Sequence, residues 1–197
     1  MRDQTGGGPP PASRSAVVGV LALQGDFEAH AKVLSRLGAS AREVRVPAQL
    51  PGLDALIIPG GESTVMTLGI EREGLAEPIR ELTRAGMPVL GTCAGLIMLD
   101  RDHLDILDIR AERNAFGRQV RSFEADLDFA DLEGGPVHAV FIRAPWVAEY
   151  GRGVEVLAEA ADHPVAVRQG NVLAVAFHPE LTGEARIHAL LLAQLRL

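Results

Sequence analysis

Several short stretches of this chain are apolar without alternation, and each stops at a turn. AVVGVLALQ (16–24) is the clearest. A strand with one face in water alternates apolar and polar side chains. A run without alternation is buried on both faces, as in a parallel sheet covered by helices. LDALIIPGG (53–61) and MPVLGTC (87–93) read the same way, and AREVRVP (41–47) adds a strand stopped by Pro47. Helical patterns lie between them. The first covers 26–37, with Phe27, Ala31, Leu34 and Leu37 at helical spacing and Gly38 past its end. A second covers 64–85 and a third covers AGLIMLD (94–100). Strands alternating with helices predict an α/β fold of three layers around a largely parallel sheet. From about 115 the texture changes. The segments 116–129, 135–147, 154–160, 164–170 and 171–180 read as shorter strands joined by turns, several of them antiparallel, so the sheet is mixed. A closing helix spans 182–197, with Ile187, Leu190, Leu191 and Leu195 on its apolar face.

A length of 197 residues fits one domain, placed at 16–197. The opening MRDQTGGGPPPASRS (1–15) has no apolar run to serve as a secretory signal or to bury, and reads as a disordered tail. The formal charge of −7 argues against nucleic acid and against a polybasic lipid-binding patch. No run approaches the roughly 18 apolar residues of a membrane-spanning helix. The single cysteine, Cys93, excludes an internal disulfide and an all-cysteine metal site, and fits a reducing compartment such as the cytoplasm.

That cysteine sits in Gly91-Thr92-Cys93-Ala94-Gly95, between a strand and a helix. The pattern matches the tight elbow that lifts a nucleophile above the sheet. Glycines two residues to either side permit close backbone approach. The helix N-terminus favours the thiolate, and the Ala94 N–H faces the site of an oxyanion. A buried core cysteine is the plain alternative. A nucleophile needs a base. Of six histidines, His178 follows an apolar run expected to be a central strand, and Glu180 lies two residues on, across Pro179, where it could orient the imidazole. His188 and His163 read as structural, while His103 and His138 lack an acidic partner in an evident strand-end setting. Gly60-Gly61, after a strand and before a helix start at Glu62-Ser63-Thr64, could turn an N–H toward the same site, with a plain loop turn as the alternative.

With these residues assembled, the GTCAG elbow, the PGGES turn and the HPE ending resemble the class I glutamine amidotransferases, which release ammonia with a Cys-His-Glu triad. LALQGDFEAH (21–30), IIPGGEST (57–64), ERNAFGRQVRSFEADL (112–127), VFIRAP (140–145) and AFHPELT (176–182) are similar to the glutaminase subunits of pyridoxal 5′-phosphate synthases. The resemblance implies a flavodoxin-like domain with Cys93 as nucleophile, His178 as base and Glu180 as its orienting partner. It implies Gly61 and Ala94 as oxyanion donors, and Gly61, Glu62, Ser63, Arg113, Ile142 and Arg143 as contacts for L-glutamine. A guanidinium suits the α-carboxylate of glutamine, which it can bind through two parallel hydrogen bonds. Arg118 belongs to the FGRQ motif and otherwise reads as a surface ion-pairing residue. The implied partner is a separate synthase subunit that takes the ammonia. Pyridoxal 5′-phosphate is then a product, and no metal or bound cofactor is implied. Two stretches depart from the family: the long N-terminus, and a shortened 99–113 that lacks the usual glycine-bearing insert. Gln24 is expected near the catalytic rim, and His30 on the helix surface or at the partner interface. A glutaminase of another pathway, such as imidazole glycerol phosphate synthesis, shares the triad, but FIRAP argues against it. A redox-sensing or non-catalytic α/β protein would need no base with an orienting carboxylate.

Overall fold

The computed structural model describes residues 14–25, 27–116 and 122–195. Four strands alternate with helices through the first half: β1 (Val17–Leu21), α1 (Phe27–Arg36), β2 (Ser40–Val44), β3 (Ala55–Ile58), α2 (Ser63–Glu73), α3 (Ala76–Arg84), β4 (Val89–Thr92) and α4 (Ala94–Leu99). The second half supplies β5 (Ile109–Glu112), β6 (Ser122–Leu127), β7 (Val137–Ile142), β8 (Trp146–Tyr150), β9 (Glu155–Ala160), β10 (His163–Gln169), β11 (Val172–Val175), α5 (Pro179–Thr182) and α6 (Ala185–Leu192). The central sheet runs β2-β1-β3-β4-β11-β10-β9. The strands β2, β1, β3, β4 and β11 are mutually parallel, and β10 and β9 are antiparallel additions at one edge.

The unalternating runs behave as their composition dictates: every residue of β3, β4 and β11 is buried. From β1 the chain moves outward to β2, then returns to the other side of β1 at β3 and continues to β4. With right-handed crossovers, that reversal sends the first helix to one face and the next helices to the other. It also opens a crevice at the carboxyl ends of β1 and β3, where α/β sheets hold ligands. The two-stranded sheets β5-β8 and β6-β7 stand apart from the central sheet. Phe123 and Phe141 stack at 4.5 Å across β6-β7, and Phe141 meets Phe177 edge-on at 5.7 Å. That aromatic contact ties the β6-β7 hairpin to the segment leaving β11.

Several elements differ from expectation for local reasons. The helix expected over 64–85 is two helices, broken where Gly74 takes a left-handed conformation (φ 67°) and its N–H closes onto Ile70 O and Glu71 O. The closing helix expected from 182 is α6 and begins at Ala185, while the unexpected short helix α5 precedes it and ends at Gly183 (φ 70°). The strand read over 135–147 turns a corner at Arg143 (φ 45°) and becomes β7 and β8. Within 99–113 β5 forms unexpectedly: its first residue, Ile109, is buried, as are Leu104 and Leu107 ahead of it. The chain is engaged two residues ahead of the anticipated start, because Arg14 pairs with Asp54 and Ser15 Oγ donates to Gly38 O at 2.7 Å. The remainder of the anticipated tail, together with Asp26 and Arg118, lies outside the described residues.

Candidate active site

Strands β4 and β11 are parallel neighbours with Thr92 and Val175 in register. The residues that leave their carboxyl ends therefore emerge side by side. Cys93 is one residue past β4, its N–H donating to Val175 O at 2.8 Å. It has φ 50° and ψ −110°, a sparsely populated conformation that costs about 1–3 kcal/mol and persists only where its surroundings enforce it. The enforcement is visible in the flanking glycines. A Cβ on Gly95 would overlap the carbonyl oxygen of Ile58, and one on Gly91 would come within 2.7 Å of Gly95 O. Only a residue without a side chain lets β3, β4 and the start of α4 approach this closely. Cys93 is 6% exposed and its Sγ lies 3.8 Å from Ile142 O. Ala94 is the first residue of α4, where a helix has no internal acceptor for its N–H.

His178 emerges from β11, its N–H donating to Val140 O of β7 at 3.0 Å. Glu180 reaches back across Pro179 and places Oε1 2.7 Å from His178 Nδ1. The carboxylate is buried and the imidazole is largely so. Burial opposes the charge on His178, but the Cys93 sulfur and the Glu180 carboxylate facing it prevail and raise its pKa from 6.5 to about 10. Burial likewise opposes ionised Glu180. The hydrogen bond from His178, with positive charge on His30 and His178, keeps it below its ordinary value. The ring bearing the proton therefore faces the sulfur on one side and a carboxylate on the other.

A cavity of about 400 Å³ opens at this point. Of the residues singled out from sequence, Gln24, Gly61, Glu62, Ser63, Cys93, Ala94, Arg113, Ile142, Arg143 and His178 all line it. Glu180 sits behind His178 and does not. Gly60 is the closest-fitted member of the β3 turn, since a Cβ there would stand 2.5 Å from His178 Cε1 and 3.3 Å from Cys93 Cβ. Glu62 caps α2, accepting from Thr64 N at 3.2 Å and Val65 N at 2.9 Å, and those two bonds hold its carboxyl below the usual range. Its own N–H donates to Gln24 Oε1 at 3.0 Å, which binds the β1 turn to the β3 turn. Arg113 stands at the mouth, with Nη1 3.4 Å from Thr64 Oγ1. The wall thus carries guanidinium groups together with a thiol and an imidazole, a set of functions suited to a small zwitterion with a reactive carbonyl.

Three features escaped the sequence reading. His30 is neither on the helix surface nor at an interface: it is fully buried, Nδ1 lying 2.9 Å from His188 Nε2. The buried face of α1 is His30, Val33 and Leu34, one position round from the Phe27–Ala31 stripe, and the His30–Val33–Leu34 spacing was the available signal. His103, in a turn, and His138, within β7, do not sit at strand ends, but both have carboxylate partners. His103 Nδ1 is 2.7 Å from buried Asp100 Oδ1, and His138 lies 2.8 Å from Asp126 and 3.1 Å from Glu124 across β6-β7. Asn114, with φ 49°, also lines the cavity, and its left-handed backbone has no sequence mark beyond Asn itself. Among the described residues no cluster of His, Cys, Asp and Glu could hold a metal ion, and no helix is long and apolar enough to cross a membrane.

Comparison with known proteins decides the family. The SNO glutamine amidotransferase family matches residues 20–196. The chain belongs to that family. It is 55% identical over 182 residues to the pyridoxal 5′-phosphate synthase subunit PdxT of Frankia alni, covering 88% of this chain and 92% of that protein. It is 53% identical over 190 residues to the PdxT subunit of Mycolicibacterium vanbaalenii, covering 90% and 97%. Among solved structures, a crystal structure of a glutamine amidotransferase superposes with a TM-score of 0.85 at 49% identity, covering 91% of this chain and 98% of that one. The α/β fold with its mixed central sheet is therefore the fold of this amidotransferase family.

Proposed function

We propose that this chain is the glutaminase subunit of a pyridoxal 5′-phosphate synthase, hydrolysing L-glutamine to L-glutamate and ammonia for vitamin B6 biosynthesis. The observation that carries the reading is the pairing of Cys93 and His178 in the wall of one cavity, with Glu180 bonded to His178 from behind, in a chain of the amidotransferase family. Cys93 attacks the side-chain amide carbon of glutamine. The tetrahedral oxyanion is met by the Ala94 N–H and an N–H at Gly61. His178 gives its proton to the departing ammonia, leaving a thioester on Cys93. It then takes a proton from water, whose oxygen displaces the thiolate and releases glutamate. Glu180 holds His178 in the tautomer that serves both steps. Arg113 pairs with the α-carboxylate, while Glu62, Ser63, Ile142 and Arg143 define the rest of the glutamine site. No step calls for a metal or bound cofactor.

The ammonia passes to a separate synthase subunit, and pyridoxal 5′-phosphate is the product of that complex. Residues 16–197 form one glutaminase domain, and the cytoplasm is its compartment, where a reducing milieu keeps the single thiol free. The peptide between Gly60 and Gly61 has no Cβ on either side, so it is the oxyanion element most free to reorient when the partner docks. Ammonia release from glutamine, measured for the chain alone and across a titration with the synthase subunit, tests the reading. Weak release alone and an increase of roughly 100–1000-fold at saturation is expected, the worth of one oxyanion donor. No release under either condition would overturn it.

A further inference from the structure

Behind the triad lies a pair of imidazoles that this reaction does not use. His30 of α1 and His188 of α6 are both fully buried, with His30 Nδ1 2.9 Å from His188 Nε2. On its other side, His30 Nε2 lies 3.7 Å from Glu180 Oε2 and 3.5 Å from Thr92 Oγ1. Glu180 Oε1 is taken by His178, so Oε2 is a buried carboxylate oxygen with no hydrogen-bond partner of its own among the described residues. Two histidines are a costly way to fill a core between two helices, because burying a polar ring is unfavourable unless its nitrogens are partnered. Here the buried ring edge points at the one carboxylate the base depends on.

We infer that His30, its ring seated by His188, presents Nε2–H to the free oxygen of Glu180 and is a positioning residue for His178. The inference rests on the triad reading above. Donors to the charged form keep a carboxylate ionised. With Oε2 held, Glu180 stays an acceptor for His178 through both proton transfers and cannot rotate away or take the proton itself. The 3.7 Å separation is an ion-pair distance, close enough for His30 to bear on the charge of Glu180 and for a shift of less than about 1 Å to bring Nε2–H into hydrogen-bond range. Among the described residues, the titratable and charged groups bearing on this pocket are Glu180 and His178 beyond β11, His188 on α6, Glu184 at the start of α6 and Arg36 at the end of α1. His188 has its pKa lowered to about 3 by burial and then by the neighbouring His30. It can therefore anchor His30 without adding a charge.

The test uses the complex with the synthase subunit and the variants His30→Leu, His30→Gln and His30→Asn. Glutamine kcat and KM are measured, with the pH dependence of Cys93 alkylation by iodoacetamide as a readout that needs no glutamine. His30→Leu should lower kcat about tenfold or more with KM unchanged, and should move the alkylation profile by about one pH unit, the equivalent of that factor. His30→Gln places an amide N–H where Nε2 was and should restore both. His30→Asn reaches only the Nδ1 position and should not. In a Glu180→Ala background, His30→Leu should add nothing. Wild-type kcat and profile in His30→Leu, a loss that persists without Glu180, or equal rescue by Asn would overturn the inference. If His30→Leu does not fold, the Gln and Asn variants decide the matter alone. His178→Ala separates the two levels. Wild-type alkylation and turnover there would bring down the triad reading itself, whereas a strong effect there with none at His30 overturns only the inference.

Discussion

Replacing Gly60 by alanine measures how tightly the β3 turn is fitted to the base. The added Cβ would stand 2.5 Å from Cε1 and 3.2 Å from Nδ1 of His178, and 3.3 Å from Cβ of Cys93. Non-bonded carbons settle at roughly 3.5–4.0 Å, so the deficit at Cε1 is about 1 Å. The ring has little room to yield. Its Nδ1 is held by Glu180 at 2.7 Å, and its backbone N–H by Val140 O at 3.0 Å. Either His178 leaves Glu180 or the turn draws away from Cys93. Overpacking of this kind costs about 1–3 kcal/mol of stability. For a domain of this size that lowers Tm by roughly 2–4 °C per kcal/mol. Misplacing a reacting group by about 1 Å costs turnover on the order of 100-fold. Ammonia release at saturating glutamine with the synthase subunit present, run beside thermal unfolding, reads both quantities. A folded Gly60→Ala protein with wild-type turnover would show that the turn is not fitted to the base and would refute the reasoning.

Cys93→Ala should abolish glutamine hydrolysis and labelling by a glutamine-mimicking electrophile while changing stability by about 1 kcal/mol or less; ammonia release above background would sink the nucleophile assignment. Arg113→Ala should raise KM for glutamine by about 10- to 100-fold with kcat little altered, the signature of a lost charge-assisted contact made equally in ground and transition states; an unchanged KM would remove Arg113 from the carboxylate site. The folded His178 pKa of about 10 lies above the unfolded value of 6.5, so the stability its protonation contributes is complete below pH about 6.5 and disappears as pH climbs through about 10. The Tm difference between wild type and His178→Ala should therefore shrink across that window, and a pH-independent difference would contradict it. Gly95→Ala should destabilise the fold by about 1–3 kcal/mol or more through its clash with backbone, which chemical denaturation would register.

What could be read from sequence was whatever neighbouring residues decide. The elbow was legible because Gly91, Cys93 and Gly95 lie within one turn of each other, and the constraint they answer to, the close approach of β3 and α4, is met locally. Glu180 was legible because only Pro179 separates it from His178. His30 was overlooked although the His30–Val33–Leu34 spacing hints at a buried face, because a histidine is buried only where its ring finds a partner, and that partner, His188, is 158 residues away. β5 was missed for a related reason. Only Ile109 of its four residues is buried, and its pairing with β8 supplies the regularity that its own composition lacks. The split at Gly74 was legible in principle, but a two-helix stretch with apolar residues throughout resembles one longer helix until the glycine's left-handed backbone is seen.

Because the nucleophile and the base leave adjacent, register-paired strands, their separation is set by the inter-strand spacing of about 4.8 Å and not by any loop. The chain between them, from β5 to β10, carries Arg113, Ile142 and Arg143. Chemistry and recognition are thus wired separately. Length changes in that intervening chain, as in the 99–113 segment, can reshape what the cavity admits while the reacting atoms keep their places. A graft of a longer insert at 101–108 should therefore alter affinity for glutamine and leave the reactivity of Cys93 as it was.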